Sequence, residues 1–301
     1  MIRSLDPQTE KFLTDLGHIT RRFERAQREI TSGRRINNAS DDPDHIANLL
    51  QLRSELGQTE QIRFNLGRGK NEVDTAEQSL QHAVRLMERV SVLGTQGATG
   101  FIGIDQRRTI ADEINLLLQE LVSVSRTTAE GRYIFSGDSD STAPYTFNPA
   151  NPDPVGAYQG TASTRQMLHP SGTLFSIART AQQIFDDPNP DKNVFDAVNG
   201  LRTALQNNDL NAAIAALTKV RTAEVHLNNQ LAFYGSVQNQ VAEALDFTFK
   251  QELRLRNQMS ELQDADMTTA ILDLNESRYQ QEVALSTKAK LYRRSLFDYL
   301  G

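Results

Sequence analysis

Residues 32–43 read SGRRINNASDDP. One glycine, two arginines, two asparagines, two aspartates and a proline share these twelve positions, between two segments with helical periodicity. Gly33 follows the last periodic residue of the first segment, where a left-handed residue closes a helix. Asp42 and Pro43 match an N-cap and a first helical residue. The carboxylate accepts orphan N–H groups, and proline supplies a preset φ. Asn37 and Asn38 suit turn conformations. The stretch therefore reads as a helix stop, a link and a helix start. Arg34 and Arg35 are not needed for that local chemistry, so they are expected to serve another surface. Asp41 and Asp42 could also form a metal or acid–base pair, but helix capping accounts for them more simply.

Upstream, residues 9–31 carry Phe12, Leu16, Ile19, Phe23, Ala26 and Ile30 at alternating spacings of four and three, which is a heptad seam. The other faces hold Lys11, Arg21, Arg22, Glu24, Arg25, Arg28 and Glu29. A helix with one narrow apolar stripe needs a partner to bury it. Downstream, a second helix runs from Pro43 to about Gly94. Its seam is Leu66, Val73, Ala76, Leu80, Ala83, Met87 and Val90, with Gly69 in one place. GTQGATGFIG (94–103) ends that helix. Ile110, Ile114, Leu117, Leu121 and Val124 mark a third, returning beside the second and stopping near Gly131.

Seven of the nine prolines fall between residues 138 and 191. Proline breaks helix interiors, and this segment instead offers short aromatic or β-branched pieces between turn residues, which predict short strands. It holds six aspartates against two arginines, as a solvent-facing insert would. Helical periodicity resumes at Val194, with Leu210, Ile214 and Leu217 on one face, and Val237, Val241 and Ala244 in another helix. The last seam runs through Met267, Ile271, Leu274, Leu285 and Tyr292, interrupted by Arg278, Gln281 and Lys288.

The expected fold is mainly α: a long antiparallel helical rod with paired N- and C-terminal coiled-coil arms and one small inserted β-rich domain. The arms are 1–42 plus 262–301, the rod 43–137 plus 192–261, and the insert 138–191.

Composition excludes much chemistry. The chain has 301 residues, a formal charge of -6 and no cysteine, so disulfides, thiolate metal sites and cysteine nucleophiles are ruled out. A chain without cysteine can be cytosolic or can be one exported unfolded, and composition leaves both open. No apolar run approaches the roughly 18 residues of a membrane span, and no membrane insertion is expected. MIRSLDPQTEKFL lacks the apolar core of a cleavable signal. No basic stripe with interleaved aromatics points to nucleic acid. His18, His45, His82, His169 and His226 lie singly, without metal-pair spacing. No phosphate loop or nucleophile elbow occurs. No catalytic, metal or cofactor-binding residue is expected, and no cofactor. A hydrolase built on Asp186, Asp187 and Asp191 is the rival from another class, but DDPNPD (186–191) reads better as a turn and helix start.

With these residues in view, the chain resembles the bacterial flagellin superfamily. SGRRINNASDDPDHIA (32–47) is similar to its N-terminal signature, LRSELGQTEQIRFNLGRGKNEVDTAEQSL (52–80) to its second helix and IADEINLLLQEL (110–121) to its third. GRYIFSG (131–137), AYQG (157–160), QQIFDD (182–187) and the ending SLFDYL (295–300) resemble the hook–filament junction branch. The likeness covers about residues 12–137 and 192–301.

The resemblance implies a non-catalytic structural protein at the hook–filament junction. The alternative is a filament flagellin. In such proteins the terminal helices pair and line an inner tube, the rod lies outside it and the insert faces solvent. The implied partners are further copies of the chain in a ring or short helical zone, the first hook-associated protein, flagellin and a flagellar export chaperone. The implied location is the extracellular flagellum, reached by the flagellar type III route without a cleaved signal. Phe12, Leu16, Ile19, Phe23, Ala26, Ile30, Ile271, Leu274 and Leu285 are then an assembly seam. Gly33, Arg34, Arg35, Asn37, Asp41, Asp42 and Pro43 are the joint between arm and rod, and the arginines' partners are expected on neighbouring subunits. The likeness does not extend to innate-receptor recognition. LMERVSVLGTQ (86–96) keeps Arg89 and Leu93 of the recognised patch, but has Ser91 and Val92 at charged positions.

Overall fold

Long apolar seams become long helices. The computed structural model describes residues 7–291. Among them the order is α1 (Pro7–Ser32), α2 (Pro43–Gly97), α3 (Ile104–Ser125), β1 (Thr128–Ala129), β2 (Arg132–Tyr133), β3 (Gln166–Leu168), β4 (Leu174–Ser176), α4 (Ala181–Phe185), α5 (Val194–Gln206), α6 (Leu210–Gln263) and α7 (Met267–Leu291). The chain is mainly α, with two small two-stranded antiparallel sheets, β1–β2 and β3–β4. Tyr292 and SLFDYL, expected to end the last seam, lie outside the described residues.

The chain divides into two compact units, Thr59–Lys250 and Met1–Gln58 with Gln251–Gly301. In the Thr59–Lys250 unit, Leu66, Val73, Ala76, Leu80, Ala83, Met87 and Val90 of α2 are all buried, against Ile110, Ile114, Leu118 and Leu121 of α3 and Val220, Val237, Val241 and Ala244 of α6, within one core. Gly69, in the α2 seam, lies under the Met167 thioether from β3, which a Cβ there would push aside. The Glu130–Gly131 loop of the first hairpin has positive φ at both residues, 51° and 76°, the geometry that matches strand twist in a two-residue turn.

Two details differ from the periodic reading. Residues 210–263 form one helix rather than two. Ile214 is exposed, while α6 is buried through Ala213, Ala216, Leu217 and Val220. Its alanines let helices approach closely, and that moves the contact face off the larger side chain.

The insert shares this core. Phe135 meets Phe185 and Tyr234 edge to face, and Tyr145 packs on Phe195. At the other end of the unit the buried Arg107 donates to the Gly97 carbonyl (3.2 Å), the Thr99 carbonyl (2.9 Å) and Asn208 Oδ1. It satisfies carbonyls at and just past the end of α2, which lack intrahelical donors, and ties α3 to two connections, α2–α3 and α5–α6.

Candidate functional site

The opening stretch folds into a clamp. Gly33 has φ +68° and its N–H donates to the Glu29 carbonyl (2.8 Å), closing α1. Asp42 starts α2 at Pro43 by accepting the His45 N–H (3.3 Å). Asp41 Oδ2 gathers the N–H groups of Asn37 and Asn38 (3.0 and 2.7 Å), and the backbone donor of Asn38, foremost, holds its carboxyl below the usual range. These are the local roles that the residue types dictate.

The long-range part is new. Arg34 pairs with Asp264 in an antiparallel bridge. The N–H groups of Arg35 and Ile36 both donate to the Gln263 carbonyl (2.7 and 3.4 Å), and Ala265 N–H donates to the Gly33 carbonyl (3.0 Å). Arg35 Nη2 donates to the Leu262 carbonyl (3.0 Å), while Nη1 reaches Asp42 Oδ2 (2.8 Å). Arg53 Nη2 donates to Gln263 Oε1 (2.8 Å). So the α1–α2 link is strapped to the α6–α7 link, with Ile36, Leu49, Leu52 and Leu255 buried in the same unit. The side-chain bonds from His45, then Arg35, hold the Asp42 carboxyl down at about 2.

This corrects one expectation. Arg35 is used inside the chain, because its guanidinium can reach both the end of α6 and the cap of α2. Arg34 contributes backbone to the bridge and leaves its side chain exposed. Gln263, Ile36 and Arg53 were missed. Ile36 had a signal, as the one large apolar residue in a polar run.

α1 and α7 pack together in this unit. Phe12, Leu16, Ile19, Phe23 and Ile30 are half-buried and Ala26 is buried. Lys288 Nζ sits 5.3 Å from the Phe12 ring centroid and bonds Thr9 Oγ1 (3.2 Å). Arg22 pairs with Asp273 (3.2 Å) and Glu276 (3.7 Å). These pairs are half-exposed, and such pairs are worth about 0–1 kcal/mol. The covered stripe of α7 is Ala270, Leu274, Ser277, Gln281, Ala284 and Lys288. Leu274 belongs to it, whereas Ile271 and Leu285 stand about half exposed. Asp266 begins α7 by accepting from the hydroxyl and N–H of Thr269 and from the Thr268 N–H.

Asp186 is the one carboxylate of DDPNPD drawn inward. Burial raises its affinity for a proton, while Tyr145 Oη (3.3 Å) and Asn193 Nδ2 (2.8 Å) donate to it. Asp187 instead accepts the Asn189 N–H (2.9 Å), and Asn193 caps α5. Both carboxylates are occupied with turn and packing bonds. Among the described residues no cluster of three or more His, Asp or Glu could hold a metal ion, and no helix is long and apolar enough to cross a membrane.

Comparison with known proteins gives the surfaces their context. The bacterial flagellin N-terminal helical region matches residues 9–140, and the bacterial flagellin C-terminal helical region matches residues 217–300. The chain belongs to the bacterial flagellin family. Flagellar hook-associated protein 3 of Escherichia coli is 27% identical over 88% of this chain and 87% of its own length. The flagellar filament 33 kDa core protein of Treponema phagedenis is 23% identical over 95% of this chain and 94% of its own. Flagellar hook associated protein-3 from Legionella pneumophila has the same fold, with a TM-score of 0.62 over 70% of this chain and 98% of that one, at 14% identity. This flagellin-family chain falls with the hook–filament junction branch. It is a structural component of the flagellum and not an enzyme.

Proposed function

We infer that this chain is an assembly subunit of the hook–filament junction, an adaptor that catalyses nothing and works by being buried against its neighbours. The observation that carries the reading is the near full-length likeness to hook-associated protein 3, on a fold whose terminal helices leave apolar side chains uncovered. Residues 1–42 and 262–301 are assigned to an inner tube, 43–137 with 192–261 to the rod around it, and 138–191 to the solvent side. The assembly seam comprises Phe12, Leu16, Ile19, Phe23, Ala26, Ile30, Ile271, Leu274 and Leu285. Residues Gly33 to Pro43 form the joint between arm and rod. Burial of exposed apolar area supplies the driving force, at roughly 25 cal/mol per Å2.

The partners assigned on this reading are further copies of the chain, the first hook-associated protein on one side and flagellin on the other. A chaperone would cover apolar helix surface before export by the flagellar type III route. The second reading, a filament subunit, is favoured by the full-length likeness to the Treponema filament protein. Seeding separates the two. Purified chain added to filament fragments should bind ends without extending them, while growth of long filaments would establish the second reading.

A further inference from the structure

Tyr145 joins several elements of the 59–250 unit. Its side chain is fully buried. The ring packs edge-on against Phe195 of α5, with 5.1 Å between centroids, and lies tilted against Tyr158 at 5.5 Å. Its carbonyl accepts from Nε of Arg126 (2.8 Å), the C-cap of α3. Its hydroxyl donates to Oδ2 of Asp186 (3.3 Å), the C-cap of α4. The other carboxyl oxygen, Oδ1, accepts from Asn193 Nδ2 (2.8 Å). Asn193 cannot turn its amide over, because its own Oδ1 takes the Asp196 N–H (2.9 Å) as the N-cap of α5. One carboxyl group thus links the 144–160 segment to α4 and α5.

That carboxyl group is poorly placed to stay charged. Asp186 is half-buried, and burying a charge without a counter-charge is costly. Both of its donors, the Tyr145 hydroxyl and the Asn193 amide, are neutral. The charged groups that face it are the carboxylates of Asp196, in the first turn of α5, and Asp153, in an exposed turn. Lys219 of α6 faces Asp196, and His226 of α6 reaches the Gln183 carbonyl of α4 (3.1 Å). Burial pushes the Asp186 carboxyl up against the pull of its two donors, and Asp196 and Asp153 add to the rise. Protonation breaks neither contact. Oδ1 still accepts from Asn193, and Oδ2 still exchanges a hydrogen bond with Tyr145.

We propose that Asp186 is an acid-strengthened latch, holding the 144–160 segment loosely to α4 and α5 while ionised and tightly once it takes up a proton. The folded chain binds this proton more tightly than the unfolded chain does. The latch therefore gains stability as pH falls through the folded value, and the gain is complete below the unfolded one. Asp41 and Asp42 run the other way, since their carboxyls are held low and acid loosens the joint they cap. One chain thus carries two local responses to acid of opposite sign. The latch does not depend on the junction reading.

Hydrogen exchange on the full chain, corrected for intrinsic rates, tests this, since local opening sets amide protection. The reporters are the N–H groups of Gly156 and Gln159, which donate to the Thr146 and Pro144 carbonyls (2.9 Å each). Asp186→Asn keeps the shape and both contacts and removes the charge. At pH 7 the reporters should be at least threefold better protected in the variant than in the parent, and at pH 4 the two chains should agree. Comparing them at each pH cancels the titration of His226, which both share. The N–H groups of Ile114 and Leu118, deep in the helical core, should match in the two chains at both pH values. Equal protection of the reporters at pH 7, poorer protection in the variant, or a difference undiminished at pH 4 would overturn the latch. A variant that fails to fold would overturn it as well, because the charge would then be required rather than tolerated.

Discussion

Replacing Ile36 by alanine should loosen the joint selectively. Ile36 is 2% exposed, and its own N–H is one of two that share the Gln263 carbonyl. Ile→Ala at a well-packed site costs about 2–5 kcal/mol, because the removed atoms lose burial and leave a cavity. A central value of about 3 kcal/mol corresponds to roughly 150-fold more frequent opening, at about 1.4 kcal/mol per factor of ten. Hydrogen exchange reads that directly, since local opening sets the protection of amides. The N–H groups of Arg35, Ile36 and Ala265 should exchange about two orders of magnitude faster than in the parent chain. Those of Ile114 and Leu118, in the core of the other unit, should not change. If joint amides stay within threefold of the parent, Ile36 does not hold the clamp and the packing argument fails.

Three further outcomes follow from the same structure. Asp42 is held at about 2 by His45 and Arg35. A depressed carboxylate contributes stability above its unfolded pKa, which is lost as pH falls through the folded value. Joint protection, corrected for intrinsic exchange, should therefore decline between about pH 4 and pH 2, and Asp42→Asn should flatten that decline. Arg107→Met leaves the carbonyl of the buried Gly97 without its side-chain donor, at about 1–3 kcal/mol. A net loss of about 2 kcal/mol should lower the calorimetric Tm of the 59–250 unit by roughly 4–8 °C, and an unchanged Tm would remove Arg107 as a clip. Phe23→Asp should abolish incorporation into flagella without shifting that Tm, and continued assembly would refute the seam assignment.

The parts of this fold that were legible depended on local spacing. Leu66 to Val90 repeat with a helical period on a face that is fully buried, so pattern and packing coincide. Asp42 and Pro43 announce a helix start by chemistry confined to a few residues. In α7 the pattern misleads, because contact with α1 runs through alanine, serine, glutamine and the stem of Lys288, while larger apolar groups face outward. Gln281 and Lys288, which interrupt the apolar pattern, lie in the contact itself. The bridge between Arg34 and Asp264 spans most of the chain. It is made of backbone groups that every residue carries, so no side-chain pattern encodes it. Asp187 did follow from local turn chemistry, whereas the Asp186 bond to Tyr145 is long-range, and the family assignment agrees with a structural role for both.

The central claim is positional: copies of this chain occupy one short zone of the flagellum. Epitope-tagging the chain at the exposed 148–153 turn and imaging gold-labelled antibody on isolated flagella measures that position directly. The account predicts label confined to a narrow band between hook and filament. Label distributed along the filament would contradict it and make the chain a filament subunit.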